Sequence, residues 1–279
     1  MATRSRWCSI VLLLLLLTTA CGSDGATSPP PKEKEPEFRT VRFMTYNIRR
    51  TGREEEPWRL PLVMDVIRAH NPDVIGLEEA HLWEDGEPPL ADSVATALGM
   101  NTTYAPIWEP DCNPPPCGSG RVILTRFAVV RSDTLYTPIS LHPILRAVLV
   151  DGEGRPWIVY VAHLSSASAT AEEKRMEREA VRNLVVAGGD TLSVALGDWN
   201  MPYDELAEFL PGWTCLAYNT RLSILYHAST VPIDHIWLSG DVSDVLAHGS
   251  VDLYSVIGDK MDQASDHHPV QATIRLRKR

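Results

Sequence analysis

Apolar and polar residues alternate along the chain in blocks that predict strands and helices following one another. Apolar residues at helical spacing predict three helices, Pro57–His70, Leu90–Leu98 and Ala171–Val186. Short apolar or β-branched runs predict strands at Val41–Ile48, Val74–Leu77, Arg121–Leu124, Phe127–Arg131, Leu145–Val150, Trp157–Val161, Leu192–Leu196, Ile233–Leu238, Val242–Ala247 and Val270–Leu276. The pattern predicts an α/β domain in which helices cover two packed sheets.

The beginning of the chain has a different pattern. Arg4 and Arg6 precede the apolar run Ile10–Leu17, and small residues lead to Cys21. This arrangement is typical of an export signal, here residues 1–21, and its apolar run is shorter than the ~20 residues of a membrane-spanning helix. Cys21 follows Thr-Thr-Ala and resembles the lipidated cysteine of bacterial lipoproteins, although Thr18 stands where Leu is usual. Ordinary secretion is the alternative.

Residues 22–38 are rich in Ser, Pro, Lys and Glu and predict a flexible linker. Residues 39–279 contain neither an internal repeat nor a second linker, so they are expected to form one catalytic domain. We therefore expect an exported protein that is held by an N-terminal lipid on the cell membrane or outer membrane and faces away from the cytoplasm. A monomer is expected.

The net charge of the chain limits the kinds of macromolecule that it is expected to bind. The net charge is −10, and the charges within residues 1–38 cancel, so the predicted domain carries all of it. A nucleic-acid-binding protein with a broad basic face is disfavoured, because Lys and Arg contacts to phosphates supply most non-specific affinity. A nuclease with a local cationic or metal-lined cleft stays possible.

The cysteines fit an exported protein. Cys112 and Cys117 enclose an Asn-Pro-Pro-Pro loop, which predicts a local disulfide, with two free thiols as the alternative. Cys8 lies in the predicted signal. Cys215 is expected to be a small buried apolar residue.

Polar side chains stand at the ends of five predicted strands. They are Asn47, the pair Glu78 and Glu79, His163, the pair Asp198 and Asn200, and the pair Asp266 and His267. Side chains at one edge of a sheet converge on a crevice, and such crevices bind ligands. Oxygen ligands suit Mg²⁺, Mn²⁺ or Ca²⁺ better than zinc. Two histidines suit acid–base chemistry near neutral pH.

Six segments resemble motifs of the endonuclease/exonuclease/phosphatase superfamily, in the family's order. They are Met44-Thr45-Tyr46-Asn47-Ile48, Pro72-Asp73-Val74-Ile75-Gly76-Leu77-Glu78-Glu79, Val161-Ala162-His163-Leu164, Gly197-Asp198-Trp199-Asn200, Ile233-Asp234-His235-Ile236 and Ser265-Asp266-His267-His268-Pro269-Val270. The resemblance implies a four-layered α/β sandwich, in which helices flank two mostly antiparallel sheets. It also implies a metal-dependent phosphoric ester hydrolase in which water attacks phosphorus.

The resemblance also implies roles for single residues. Asn47, Glu79 and Asp266 would hold Mg²⁺ or Mn²⁺. His267 would act as general base or would orient the phosphate, and Asp234 would fix its tautomer. Asp198 and Asn200 would position the water and the phosphate oxygens, and His163 would stabilise the developing negative charge. Tyr104 and Arg121 are candidate contacts to the substrate phosphate.

The chain departs from the family pattern at Glu78, where the family usually has Gln. Because neighbouring residues of a strand point to opposite faces, Glu78 is expected to point away from a metal that Glu79 holds. An inward Glu78 would instead tighten cation binding and repel the substrate. Ala162, His235 and His268 replace a common Thr, Tyr and Arg, and none of them removes a core catalytic position.

Three functions are compatible with these observations. The first is an extracytoplasmic, endonuclease-like phosphodiesterase that cleaves DNA or RNA, although the acidic domain argues against it. The second is a sphingomyelinase-like or phosphatase-like enzyme, against which stands the lack of an evident aromatic hairpin for entering a bilayer. The third is a binding lipoprotein without activity, which the complete motif set disfavours. The substrate is not determined by the fold class.

Overall fold

Two six-stranded sheets pack face to face in the computed structural model. The structure describes residues 37–49, 51, 57–81, 90–105, 120–136, 143–165, 169–186, 192–218, 232–239, 244–250 and 254–278, and every structural statement refers to these. The predicted signal, Cys21 and the pair Cys112 and Cys117 lie outside the described residues. Residues 36–279 form one compact unit.

The first sheet has the strand order β11-β12-β1-β2-β4-β3. Its strands are β1 (Phe38–Asn47), β2 (Val74–Ala80), β3 (Asn101–Ala105), β4 (Gly120–Thr125), β11 (Asp244–Ser250) and β12 (Val270–Arg277). Only β1 and β2 are paired in parallel among its described strands; the other neighbours are antiparallel.

The second sheet has the order β5-β6-β7-β8-β10-β9. Its strands are β5 (Ala128–Leu135), β6 (Ile144–Val150), β7 (Pro156–His163), β8 (Ser193–Asp198), β9 (Trp213–Tyr218) and β10 (Asp234–Ser239). Here β7 and β8 form the parallel pair. Both sheets are therefore mostly antiparallel, as the resemblance implied.

Helices cover the outer faces of both sheets, which completes four layers. The helices are α1 (Arg59–His70), α2 (Leu90–Leu98), α3 (Ala171–Val186), α4 (Tyr203–Ala207), α5 (Tyr254–Ile257), a 3₁₀ turn at Gly258–Lys260 and α6 (Met261–Ala264). One apolar core lies between the sheets. A second joins the first sheet to α1 and α2, and a third joins the second sheet to α3 and α4. The predicted fold class is confirmed.

The elements that the sequence pattern missed are short or lie at sheet edges. The missed strands β3 and β9 each lie at one edge of their sheet, and most of their residues are at least partly exposed. An edge strand pairs on one side only and is partly solvated, so its sequence lacks the continuous apolar run of a central strand. Among the described helices, none is long and apolar enough to cross a membrane.

Cys215 lies on β9, next to the core that joins the second sheet to its helices. It is partly buried rather than fully buried. Burial raises the pKa of its thiol to about 12. The thiol is therefore protonated at neutral pH and has little nucleophilic character.

The turn between β6 and β7 is held by the side chain of Asp151. Its Oδ1 accepts hydrogen bonds from the backbone N–H groups of Glu153 and Arg155, and its Oδ2 accepts one from Trp157 Nε1 at 2.8 Å. Arg39 pairs with the same oxygen. Although burial opposes ionisation, these donors together lower the pKa of Asp151.

Substituting Asp151 with Ala is therefore expected to lower the free energy of unfolding by about 2–3 kcal/mol, because the buried Trp157 N–H loses its acceptor. Urea denaturation at neutral pH measures this difference. Wild-type stability in that assay would show that the hairpin does not depend on the carboxylate. The stabilisation is fully present above the unfolded-state pKa of Asp151 and is lost as the pH falls through the lower folded-state pKa.

Candidate active site

Strand ends from both sheets bring polar side chains to one end of the sandwich. β1 ends at Asn47, β7 at His163 and β8 at Asp198, while β10 begins at Asp234. The parallel pair β7 and β8 places His163 opposite Asp198. The antiparallel pairing of β10 with β8 places Asp234 opposite Asp198 as well. The topology therefore brings together residues that are far apart in the sequence.

Asp198 connects the two sheets at this end. Its Oδ2 accepts a hydrogen bond from Asn47 Nδ2 at 3.1 Å and lies 3.7 Å from Nε2 of both His163 and His267. Burial and the nearby Asp234 raise the pKa of the Asp198 carboxyl to about 7. A carboxyl group with a pKa near neutrality can accept and release a proton under physiological conditions.

The close approach of β8 to β7 requires a glycine before Asp198. A Cβ atom on Gly197 would lie 2.2 Å from the carbonyl oxygen of Ala162. Any larger residue would push the two strands apart. The Gly-Asp-Trp-Asn motif therefore sets the distance between the strand ends that carry His163 and Asp198.

Asp234 and His267 form a buried carboxylate–histidine pair. His267 Nδ1 lies 3.1 Å from Asp234 Oδ2, and the side chains are 8% and 1% exposed. Burial lowers the pKa of His267, but Asp234, followed by Asp198 and Asp266, outweighs burial and raises it to about 10. Without a bound cation, His267 is therefore protonated at neutral pH.

Ser265 fixes the segment that carries His267. Its Oγ donates to the carbonyl oxygen of Asn47 at 2.7 Å and accepts from the backbone N–H of His267 at 3.1 Å. One buried hydroxyl thus joins the end of β1 to the residues before β12. Ser265 belongs to one of the six motifs, but the motif pattern does not reveal this bridging role.

Glu79 reaches the site because the end of β2 is irregular. Its φ is 50°, and the pairing of β2 with β4 shifts between Leu77 and Ala80. Its Oε1 accepts from Asn47 Nδ2 at 3.1 Å and lies 4.0 Å from His163 Nε2. A left-handed conformation at a non-glycine residue is uncommon, and such residues cluster at functional sites.

The expected orientation of Glu78 is wrong. Alternation along β2 places Glu78 on the same face as Val74, which lies in the core between the sheets. The positive φ of Glu79 turns its side chain towards the space between the sheets as well. Glu78 is fully buried and accepts a hydrogen bond from Thr45 Oγ1 at 2.7 Å. Burial raises its pKa well above the usual range, and Asp234 and Asp198 add to the shift. The sequence could not indicate this, because both faces of β2 are apolar.

Arg121 was predicted to contact the substrate phosphate, but the structure places it in the interior. It is 1% exposed, and its Nη2 donates to the carbonyl oxygen of His163 at 2.6 Å. Burial lowers its pKa to about 10, and Glu78 makes the largest opposing contribution, ahead of Glu177. It remains protonated at neutral pH. The positive charge of Arg121 therefore offsets the negative charge of the buried carboxylates, and its hydrogen bond holds the backbone of His163 in place.

Two further side chains hold the segment after His163. Asn200 Nδ2 donates to the carbonyl oxygen of Leu164 at 2.7 Å, and Glu177 Oε2 accepts from the N–H of Ser165 at 2.9 Å. Asn200, predicted to position water and phosphate oxygens, here also positions the backbone. Glu177 lies on α3 and was not among the predicted site residues. Its spacing of four residues from the buried Val181 was the signal that it faces inward.

Tyr104 does not lie with the site residues. It pairs with Val122, whose side chain belongs to the core between the first sheet and its helices, and Tyr104 packs against that same core. Burial and Asp92 of α2 raise its pKa. Because cross-strand partners point to the same face, Tyr104 faces the helices rather than the space between the sheets.

The donor set fits a divalent cation that prefers oxygen ligands. Asn47 contacts both Glu79 and Asp198, and the ligand atoms of Asp198, Asp234 and His267 all lie within 4.8 Å of one another. Burial, and after it repulsion from the carboxylate of Asp234, raises the pKa of Asp198. A bound cation would relieve this repulsion.

The third residue of the predicted ligand set, Asp266, lies at the rim of the site. Its Oδ2 is 3.6 Å from Arg49 Nε, and the backbone N–H of Arg49 donates to Asn47 Oδ1 at 3.0 Å. Arg49 is half-exposed and has a left-handed φ of 47°. It is a cationic residue at the mouth of the site that sequence analysis did not single out.

Comparisons with known proteins agree with this architecture. A model of the Endonuclease/Exonuclease/phosphatase family matches residues 44–267. A comparison with curated protein sequences finds no match.

Several solved structures share the fold at low sequence identity. An endonuclease/exonuclease/phosphatase family protein from Leptotrichia buccalis is 15% identical with a TM-score of 0.65, covering 84% of this chain and 99% of its own. The human Nocturnin catalytic domain with bound sulfate anion is 20% identical with a TM-score of 0.66, covering 89% and 99%. D. rerio TDP2 complexed with single strand DNA product is 14% identical with a TM-score of 0.64, covering 84% and 98%.

Proposed function

Because the chain belongs to the endonuclease/exonuclease/phosphatase family, whose members are hydrolases acting on phosphoesters, we propose that it is a divalent-metal-dependent phosphodiesterase. The observation that carries the proposal is the meeting of Asn47, Glu79, His163, Asp198, Asp234 and His267 at one end of the sandwich. Two histidines and several carboxylates around one small space suit hydrolysis better than passive binding.

Each residue has a role that follows from its contacts. Glu79 and Asn47 would hold the cation, with Asp266 at the rim. When bound there, Mg²⁺ or Mn²⁺ supplies Lewis-acid stabilisation of the phosphate and leaving oxygens. Asp198, whose Oδ2 lies 3.7 Å from Nε2 of both His163 and His267, orients the attacking water and accepts its proton.

The two histidines bind the phosphate. Asp234 accepts the hydrogen bond from His267 Nδ1, which leaves Nε2 on the side of Asp198. Because the Asp234 carboxylate at Nδ1 favours the charged form of the ring, His267 donates from Nε2 to a non-bridging oxygen, so we assign it phosphate binding rather than the role of general base. His163 donates to a second oxygen from the opposite side.

A nucleic-acid substrate outside the cytoplasm is the proposed target. The export signal predicted at residues 1–21 supports the location, and the single-stranded DNA product bound by D. rerio TDP2 supports the substrate class. Arg49 supplies a positive charge at the mouth. Attachment to a membrane through Cys21 stays a prediction.

The proposal is tested with a panel of phosphoesters, with and without a chelator. Supercoiled plasmid, a single-stranded oligonucleotide, p-nitrophenyl phosphate and sphingomyelin vesicles are each incubated with Mg²⁺ or Mn²⁺. We expect nicking or strand cleavage that the chelator abolishes. Release of phosphocholine from the vesicles without cleavage of either nucleic acid would instead favour the sphingomyelinase-like alternative.

The Glu79→Gln variant provides the matched test of the metal site. The substitution keeps the size of the side chain but removes its charge, so we expect at least tenfold weaker Mn²⁺ binding and a similar loss of activity at low metal concentration. Isothermal titration calorimetry measures the binding. The control is Glu153→Gln in the β6–β7 turn, at the other end of β7 from His163, which should leave both quantities unchanged. Equal metal affinity in both variants would place the cation elsewhere.

A further inference from the structure

A stacked pair of tyrosines lies beside the candidate active site. Tyr203 begins α4 shortly after Asp198, and Tyr218 ends β9. Tyr218 pairs with His235, the neighbour of Asp234, and Asp234 pairs with Asp198. The backbone of Tyr218 is therefore two strands away from that of β8, or roughly 10 Å. Both tyrosines stand at the end of the second sheet that carries the site.

The two rings form a supported aromatic surface. Their centroids are 4.7 Å apart, and their planes differ by 14°. Tyr203 is 42% exposed although Tyr218 covers one face of its ring. Part of Tyr203 is therefore accessible to a ligand although the stacked neighbour covers one face. A ring that is held by a stacked neighbour loses little conformational freedom when a planar ligand binds to it.

The charge of the protein indicates how a nucleic-acid strand could be held. The chain has a net charge of −10, and attraction to the phosphate backbone supplies most non-specific affinity in basic proteins. An acidic protein needs a contribution that does not depend on charge. Stacking of one base on an aromatic side chain raises affinity roughly 5- to 150-fold and tolerates any base.

We propose that Tyr203, backed by Tyr218, is a stacking platform for a nucleobase of a single-stranded nucleic acid whose phosphodiester lies at Asp198 and His267. This inference rests on the proposed phosphodiesterase function and adds the part of the substrate that the protein recognises beyond the phosphate. It assigns the substrate preference to an unpaired strand, because bases within a duplex are stacked on one another and do not present a free face.

The test compares two substrates that differ only in their bases. One is a short oligothymidylate, and the other is the same strand with tetrahydrofuran abasic residues in place of the nucleosides. For Tyr203→Ala we expect roughly a tenfold increase in KM on oligothymidylate, little change in kcat, and no change on the abasic strand. Tyr203→Phe keeps the aromatic face and should retain the wild-type KM.

Tyr136→Ala is the matched control. Tyr136 is a 71% exposed tyrosine that follows β5, at the opposite edge of the same sheet. Its substitution should leave KM unchanged on both strands. Thermal unfolding of each variant separates a loss of binding from a loss of fold, and Tyr203→Leu retains apolar volume if the Ala variant unfolds early.

The failure of this inference differs from the failure of the proposed function. If the wild type cleaves oligothymidylate and Tyr203→Ala has the same KM, the platform is refuted and the phosphodiesterase stands. An equal rise in KM on the base-bearing and abasic strands also refutes it. Weaker binding of Tyr203→Ala to phosphatidylcholine vesicles with an unchanged KM would assign the ring to a membrane surface instead. A wild type that nicks the plasmid but cleaves neither single strand refutes the platform alone, whereas a wild type that cleaves no substrate of the panel overturns both.

Discussion

The Asp234→Asn variant is expected to keep its fold and to lose roughly a thousandfold in kcat. Asp234 Oδ2 accepts the hydrogen bond from His267 Nδ1, and both side chains are buried. An amide in this position lacks the negative charge that raises the pKa of His267. The pKa of the ring would fall and the ring would be free to adopt the other tautomer, so the phosphate would more often lack a charged donor.

The loss is measured as kcat on the best substrate of the panel at saturating metal. Because Asp234 acts through His267, the double variant Asp234→Asn, His267→Ala should be little worse than His267→Ala alone. Multiplicative losses in the double variant would show that the two residues act independently. The control Asp133→Asn, at an exposed pair with Arg131, should keep wild-type kcat.

A pH series on chelated protein gives a second measure of the same pair. Folding raises the pKa of His267 from 6.5 to about 10. The resulting stability is therefore fully present below about pH 6.5 and is lost as the pH rises towards 10. Wild type should exceed Asp234→Asn in unfolding free energy most strongly below pH 6.5, and the difference should shrink as the pH approaches 10. A difference that grows with pH would contradict the assigned pairing.

The Arg121→Met variant is expected to lower the free energy of unfolding by about 3–5 kcal/mol. Met has a similar length but no charge, so the buried carboxylates Glu78 and Glu177 lose the cation that offsets them. Removing the cation from a buried charge network is costly, because the carboxylates keep their hydrogen bonds from Thr45 and Ser165 but lose the opposing charge. Urea denaturation of the chelated protein measures the change.

Two further variants separate charge balance from packing. Among the neighbouring charges, Glu78 does most to stabilise the protonated form of Arg121. Because Glu78→Gln removes that charge, the double variant Glu78→Gln, Arg121→Met should be more stable than Arg121→Met alone. If the second substitution further destabilises the protein, Arg121 acts by packing rather than by charge. Arg131→Met removes an arginine that is 59% exposed, and its effect should stay below about 1 kcal/mol.

Arg121 should also affect catalysis through His163. Its Nη2 holds the carbonyl oxygen of that residue, so Arg121→Met should lower kcat more than it raises KM. Arg121→Lys retains a charge but not the fork of donors, and it should recover stability more fully than kcat.

The main elements of the fold could be predicted because their apolar runs are long and their ends are marked. The helices Leu90–Leu98 and Ala171–Val186 have the predicted bounds, since helical spacing and a following glycine are local features of the sequence. The strands β3 and β9 could not be predicted in this way. Each pairs on one side only, with the next strand along the chain, and each buries only part of its surface.

The sequence by itself determined the family resemblance, the main elements of the sandwich and the identities of the residues at the strand ends. Motifs, periodicity and turn residues are properties of short stretches of sequence, so they can be recognised without the tertiary structure. Tertiary structure alone decided their geometry. It re-aimed Glu79 through a positive φ, turned Glu78 inward, buried Arg121 under His163 and directed Tyr104 towards the helices. The orientation and burial of a side chain depend on which face of its strand meets the second sheet. When both faces of a strand are apolar, the local sequence does not indicate which face that is.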